Sequence, residues 1–306
     1  MKPRKDSGSA STDFSRFSKN DCILTFSIRG LLARTCCQHR QLAPLSDRVA
    51  ARLATIGRNG EAVMTKIAVV TGAAGGMGKA ICARLLDDGF HVVGVDIAHH
   101  TDGDNNDTTA HPRFSAETTD LTDDAAVSAL FGRIAAAHGG VDVLVNNAGT
   151  CFMSDFPDIP ATELKAQMAV NFESAFYCCQ AALPLMLERV GIRKIINISS
   201  NGAYNFNVFD PVHYRTSKAA MDTLTKDLAR RYATQKISVN SLAPAMTETP
   251  LFGVLSEETL AKAIAEMPHG VAMQPAQIAS WVGFLAGDGG DISSGNVIVL
   301  NQGRDV

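Results

Sequence analysis

The sequence predicts an α/β fold: a doubly wound parallel sheet of about seven strands with helices on both faces, built as one domain over residues 64–306. Three observations carry this reading. Short β-branched runs alternate with helix-length segments; the runs lack the polar–apolar alternation of a sheet with one wet face; and a glycine-rich turn joins the first run to the first helix. Strands covered on both faces read as continuous apolar runs, and parallel neighbours need a crossover, usually helical and right-handed.

In order, the first strand is KIAVVT at 66–71, followed by a helix at 76–88 and a second strand, HVVGVD, at 91–96. A weaker strand falls near 113–116, then a helix at 123–138 and the strand VDVLVNN at 141–147. A long helix is expected at 162–189, the strand RKIINIS at 193–199, a helix at 213–234 and the strand KISVN at 236–240. A helix at 275–286 and the strand NVIVL at 296–300 complete the set. No repeat or internal linker divides 66–306, and ligands of such a sheet bind beyond the C-terminal strand ends.

Residues 1–63 have a different character. They hold 11 Lys/Arg against 5 Asp/Glu, whereas the remainder holds 17 against 26. ILTFSIRGLLART suggests a short amphipathic helix, and the basic, Ser-containing leader resembles a transit peptide in part, but its acidic residues weigh against that. The expectation is a disordered or non-native extension ahead of a natural start at Met64. The net charge of −3 argues against a nucleic-acid partner held by charge. The longest uncharged run, Met267 to Gly287, carries His269, two glutamines and two prolines and is no membrane span. Seven cysteines, at 22, 36, 37, 82, 151, 178 and 179, show no metal spacing and no Cys-x-x-Cys; an odd count fits a reduced, cytoplasmic chain, with no metal expected.

VVTGAAGGMGKAICARLL carries Gly72, Gly75, Gly76, Met77 and Gly78 between strand and helix. Glycines there let the backbone turn sharply and approach a pyrophosphate, whose charge is favoured by the unpaired N–H groups at the helix start. Asp96 closes the second strand, 24 residues after Gly72. A carboxylate there accepts hydrogen bonds from adenosine ribose hydroxyls and repels a 2′-phosphate, and its neighbours Ile97 and Ala98 supply no cation, so NAD is favoured over NADP.

HYRTSK places Tyr214 and Lys218 one helical turn apart on one face, a pattern that decides nothing alone. Together with TGAAGGMG, TDLTD at 119–123, NNAG at 146–149, VNF at 170–172, NISS at 197–200 and LAPAMTETP at 242–250, it resembles the short-chain dehydrogenase/reductase family over about 240 residues. The resemblance implies an NAD(P)-dependent oxidoreductase that interconverts a secondary alcohol and a ketone. It implies Asn171, Ser200, Tyr214 and Lys218 as the catalytic set, with Ser200 and Tyr214 meeting the substrate. It further implies Asp120 and Leu121 beside the adenine, Asn147, Ala148 and Gly149 after the fourth strand, and Pro244, Met246 and Thr249 around the nicotinamide, with Lys218 on the ribose. Asn171 would help hold a water linking Lys218 to solvent, and a homotetramer or dimer would form through the helices at 162–189 and 213–234.

Given those roles, Lys218 and an oxidised nicotinamide would lower the pKa of Tyr214 toward the working pH and make it a general acid/base. Three departures from the family pattern stand out. Ser200 and Tyr214 are 14 apart rather than the commoner 13, which leaves Ser199 as a second candidate for the active serine; Ala245 replaces a common glycine; and the tail VIVLNQGRDV lacks paired glycines.

The loop from Ser200 to Tyr214 offers Asn201, Tyr204, Asn205, Phe206, Phe209, Asp210 and His213 to a substrate, and the stretch after Pro244 offers Met246, Leu251, Phe252 and Leu255. That mixture suits a polyol, sugar or cyclic diol. The bland alternative makes Phe206 and Phe209 core anchors and Asp210 a helix cap. Rival functions are an NADPH-dependent 3-oxoacyl-thioester reductase, a non-catalytic dinucleotide-binding redox sensor, and a nucleic-acid or membrane binder acting through residues 1–63.

Overall fold

The computed structural model describes residues 54–56, 62–98, 108–206 and 210–304, which fall within one unit, Leu45–Val306. The expected helix at 23–35, cysteines 22, 36 and 37, and Phe209 lie outside the described residues.

Two short strands, β1 (Ala54–Ile56) and β2 (Ala62–Met64), pair antiparallel as a separate ladder. The main sheet follows. Its strands are β3 (Ile67–Thr71), β4 (His91–Asp96), β5 (Phe114–Thr118), β6 (Val143–Asn146), β7 (Arg193–Ile198), β8 (Ile237–Pro244) and β9 (Val297–Leu300). All seven are parallel, in the order β5-β4-β3-β6-β7-β8-β9. The chain runs outward from β3 in one direction through β4 and β5, then returns to β3's other edge with β6. The crevice between β3 and β6 is therefore the switch point, where a ligand finds two loops splayed apart.

Burial explains the strand signals. Every residue of β3, β6, β7 and β8 is buried. The sheet separates two cores, one of Val127, Leu130, Phe131, Ile134, Cys178 and Met186 on one face, the other of Ile81, Leu85, Ile278 and Val282 on the opposite face. The edge strand β5 is mostly half-buried, which is why its apolar signal is weak.

The crossovers are α1 (Gly76–Asp87), α2 (Asp124–His138), α3 (Ala161–Met168), α4 (Ser174–Leu187), α5 (Val212–Tyr232), α6 (Glu257–Ala265) and α7 (Pro275–Ala286). Asp123 caps α2 by accepting from the N–H groups of Ala125 and Ala126, and Gly139 ends it at φ 76°. The expected single helix at 162–189 is instead two, α3 and α4, separated by a π turn over Ala169–Glu173 that contains Asn171. Such a turn widens the backbone ladder locally and often marks a functional position. Helix α6 is an addition to the expected set. It is short and buries only Ala263, and the Ser256 hydroxyl caps it by accepting from Thr259 N–H. Cys82, Cys151, Cys178 and Cys179 are unbridged and buried, and among the described residues no helix is long and apolar enough to cross a membrane.

Candidate active site

The loop from β3 to α1 is built around two steric facts. Gly72 sits at φ 63°, and a methyl there would lie 2.9 Å from Ala148 Cα. At Gly78 a methyl would lie 2.0 Å from Gly72 O, so helix and turn touch only because neither carries a side chain. Thr71 then joins the two halves of the crevice: its hydroxyl accepts from Asn147 N–H at 2.9 Å and Ala148 N–H at 3.0 Å, while Asn147 Nδ2 donates to Thr71 O and Gly72 O. Sequence reasoning missed Thr71 as a site residue, although it stands in the quoted loop.

This crevice opens on a cavity of about 350 Å³ whose lining includes Gly72, Gly75, Gly76, Met77, Gly78, Asp96, Asp120, Leu121, Asn147, Ala148, Gly149 and Thr249. These expected dinucleotide residues thus come together; Pro244, Met246 and Tyr214 line an adjoining cavity instead, and Lys218 lines neither. The fit to a dinucleotide is physical. A glycine cradle that any Cβ would fill faces the start of α1, and the buried Thr119 hydroxyl and Asn147 Oδ1 have no hydrogen-bond partner. Asp96 accepts from Ala74 N–H at 2.9 Å and from Ala98 N–H at 3.2 Å, so its carboxylate fixes the glycine turn while keeping free lone pairs. Asp120 is instead turned back on Thr122, whose N–H and hydroxyl donate to it and hold its pKa below the usual value.

The adjoining cavity, about 130 Å³, is lined by Ser199, Ser200, Asn201, Asp210, Tyr214, Pro244, Met246, Leu251, Phe252, Leu255 and Arg304, and shares Met77, Thr249 and Leu251 with the first. Of the residues expected to face a substrate, Asn201, Asp210, Met246, Leu251, Phe252 and Leu255 do so. Four others do not line it. Tyr204 turns away to donate to Asp222 Oδ2 at 2.6 Å; Phe206 is 78% exposed with the Arg215 guanidinium over its ring; Asn205 is buried elsewhere; and His213 is buried with Nε2 3.0 Å from Glu163 Oε1. Phe206 is therefore no core anchor, and Asp210 caps no helix, because Pro211 holds the N-cap position of α5. Cys151, Met153, Thr247 and Arg304 also line the cavity and carried no sequence signal.

Of the four expected catalytic residues, Ser200 and Tyr214 line the second cavity, while Asn171 and Lys218 are buried beside Gly149, which lines the first. Asn171 is fixed by the π turn: its Oδ1 accepts from Thr150 N–H at 2.8 Å, and its Nδ2 donates to Thr150 O and Ser217 Oγ. Both side-chain donors are thus spent, and only acceptor capacity remains for a water. Ser217 in turn donates to Tyr214 O at 2.7 Å, which ties Asn171 to α5. Lys218 is buried and donates from Nζ to Ile198 O at 2.8 Å, and its Nζ lies 6.0 Å from the centroid of the Tyr214 ring. A point one methyl above Gly149 is 3.4 Å from both Lys218 Nζ and Asn171 Oδ1, so these groups converge at the crevice floor.

The serines differ in orientation. Ser200 accepts from Gly202 N–H at 3.0 Å and stands near enough to Tyr214 to favour its phenolate, whereas the Ser199 hydroxyl points to Lys218 O at 3.4 Å. The electrostatics depart from expectation. Burial, then the nearby Asp210 charge, push the Tyr214 phenol above its ordinary pKa, and the Ser200 hydrogen bond opposes them. Lys218 is itself pushed down to about 8 by burial, with Asp222 opposing. Desolvation dominates at Tyr214, so the expected lowering of its pKa is not a property of the protein groups alone.

Residues 66–260 match the family model "short chain dehydrogenase". The chain is 32% identical over 243 residues to acetoacetyl-CoA reductase of Acinetobacter sp. (strain RA3849), covering 78% of this chain and 97% of that one. It is 34% identical over 255 residues to cis-4-hydroxycyclohexanecarboxylate dehydrogenase of Sinomonas cyclohexanicum, covering 80% and 98%. The fold matches that of ligand-free aldohexose dehydrogenase from Thermoplasma acidophilum with a TM-score of 0.70 at 28% identity, covering 78% of this chain and 94% of that one. The glycine crevice, the seven-stranded parallel sheet and these likenesses make the chain a member of the short-chain dehydrogenase/reductase family, an oxidoreductase acting on CH–OH groups.

Proposed function

We propose that the protein is an NAD-dependent dehydrogenase that interconverts a secondary alcohol and a ketone on a polyol, sugar or cyclic diol. The observation that carries this reading is the pairing of Ser200 and Tyr214 in the second cavity with Lys218 and Asn171 against Gly149 in the wall of the first. What a dinucleotide supplies when bound is the hydride acceptor and, in its oxidised form, a positive charge.

The chain's own residues do the rest. Tyr214, as phenolate, takes the proton of the substrate hydroxyl in oxidation and returns it to the carbonyl oxygen in reduction. Ser200 donates to that same oxygen and stabilises the charge developing on it. Lys218, held by Ile198 O, keeps a positive charge beneath Tyr214 and is available to ribose hydroxyls. The glycine turn and the start of α1 receive the pyrophosphate, with Asp120 and Leu121 bordering the adenine and Pro244, Met246 and Thr249 the nicotinamide.

NAD is favoured over NADP by Asp96 at the end of β4 and by the absence of Lys or Arg from the described cavity lining and from residues 97–107. Cyclic hydroxylated substrates are favoured by the polar end of the second cavity and by two of the likenesses, a dehydrogenase named for a hydroxycyclohexanecarboxylate and one named for aldohexoses. A thioester reductase is the second reading, supported by the likeness to acetoacetyl-CoA reductase. Exposed Leu164, Phe176 and Leu187 on α3 and α4 support assembly as a homo-oligomer, and the free, buried cysteines suit the cytoplasm.

A panel assay separates these readings: reduced-nicotinamide absorbance is followed with NAD or NADP against sugars, polyols, cyclic diols, secondary alcohols and hydroxyacyl thioesters. Turnover of a hydroxylated ring or polyol with NAD is the expected result. Turnover confined to thioesters with NADP overturns the reading.

A further inference from the structure

Asp210 and Arg304 are the charged side chains among the described residues that line the second cavity, whose remaining wall is largely Met77, Met153, Met246 and other apolar groups. Their situations differ. Arg304 is buried, and its guanidinium is paired with Glu266. The Asp210 carboxylate receives no hydrogen bond from any described residue; Arg215 donates to its main-chain oxygen instead, at 2.7 Å. Burial penalises this carboxylate, and the nearby Arg215 and Arg304 charges offset only part of that, so a ligand group that donates to it is favoured.

Its position is set by Gly202. A methyl there would lie 2.1 Å from Asp210 Oδ2 and 3.3 Å from Ser200 Oγ, so the carboxylate and the Ser200 hydroxyl flank the same point. Asp210 also stands close enough to Tyr214 for its charge to act on the phenol. On the reading above, the reacting oxygen of a substrate would sit between Ser200 and Tyr214. A group on the neighbouring carbon would then face Asp210, where a hydroxyl would donate into the carboxylate and a bare methylene would leave it without a donor.

We propose that Asp210 is a specificity-determining residue that accepts a hydrogen bond from a second hydroxyl of the substrate, so that the site takes a vicinal diol rather than a simple alcohol. This rests on the alcohol-dehydrogenase reading above. A site built to meet a hydroxyl discriminates strongly against the analogue that lacks it, because its own polar group is then stranded.

The test compares kcat/KM for 1,2-cyclohexanediol, cyclohexanol and 2-hydroxycyclohexanecarboxylate in the full chain and in Asp210→Asn, Asp210→Ala and Arg304→Leu. NADH fluorescence and thermal unfolding confirm that each variant is folded. The expected result is a wild-type preference for the diol over cyclohexanol of at least about 30-fold, reduced about fivefold in Asp210→Asn, which keeps an acceptor oxygen, and to below about threefold in Asp210→Ala. A preference unchanged in both Asp210 variants overturns the proposal and leaves the dehydrogenase reading standing. So does preference for the hydroxy acid that is lost in Arg304→Leu. Wild-type protein that binds NADH and oxidises none of the three overturns the diol reading of the function itself, and this proposal with it.

Discussion

Replacing Asp96 by Asn keeps the size and the acceptor oxygen but removes the charge, and the two effects can be separated because this carboxylate has two sets of partners. Within the protein it accepts from Ala74 N–H at 2.9 Å and Ala98 N–H at 3.2 Å. The Asn amide oxygen retains the first of these, so the glycine turn should hold. Toward the cofactor, hydrogen bonds to a charged acceptor are worth about 1 kcal/mol more each than neutral ones, so two ribose hydroxyls lose about 2 kcal/mol, or about 30-fold in kcat/KM with NAD. Removing a unit charge from beside a 2′-phosphate relieves a repulsion of about 1–4 kcal/mol at contact range, which raises use of NADP by about fivefold or more. The NAD/NADP ratio of kcat/KM should therefore fall by about two to three orders of magnitude. Asp96→Ala adds an unsatisfied Ala74 N–H, costing about 1–3 kcal/mol, and should also lower the unfolding temperature. Steady-state rates with each cofactor, together with a melting curve, give all these quantities. A ratio unchanged within about threefold in Asp96→Asn refutes the reasoning, because the charge would then have no part in cofactor choice.

Three further outcomes are expected. Ser200→Ala should lower kcat by about 10²–10³, and Ser199→Ala by less than about threefold, since Ser200 acts on the Tyr214 phenol while the Ser199 hydroxyl is turned to Lys218 O. Equal losses would reverse the assignment. Asp210→Asn removes a charge that raises the Tyr214 pKa; the phenolate is the base in oxidation, so the ascending, acid-side limb of kcat/KM for any oxidised alcohol should move to lower pH, and a limb left in place contradicts that coupling. Gly78→Ala forces a methyl to 2.0 Å from Gly72 O and 2.8 Å from Ala73 Cα, both backbone, so NADH affinity should fall by more than about tenfold with a loss of about 1–3 kcal/mol in stability. Unaltered NADH fluorescence titrations would contradict the cradle.

What the sequence made legible follows from burial and from chemistry held in short segments. Strands β3, β6 and β7 are covered on both faces, so each appears as an unbroken apolar run, whereas the half-exposed edge β5 barely registers. Gly72 and Gly78 stand out because positive φ and backbone contact leave no alternative residue. The π turn at Asn171 is invisible in the helical periodicity, since apolar residues continue through it. Arg304 enters the second cavity only because the chain beyond β9 returns there. Tyr204, Phe206 and His213 belong to the same loop as Asp210, yet their partners Asp222, Arg215 and Glu163 come from elsewhere in the chain or draw them out of the cavity. The direction of the Tyr214 shift depends on how completely α5 buries it, a quantity that spacing alone does not carry.

The most direct test of the account is Tyr214→Phe, measured as alcohol oxidation with NAD alongside NADH fluorescence titration. If Tyr214 is the proton carrier, turnover falls by about 10³ or more while NADH affinity changes by less than about threefold, because the ring stays in place and only the hydroxyl is lost. Turnover that stays within tenfold of wild type, with NADH binding intact, would contradict the central claim and assign the proton to another group.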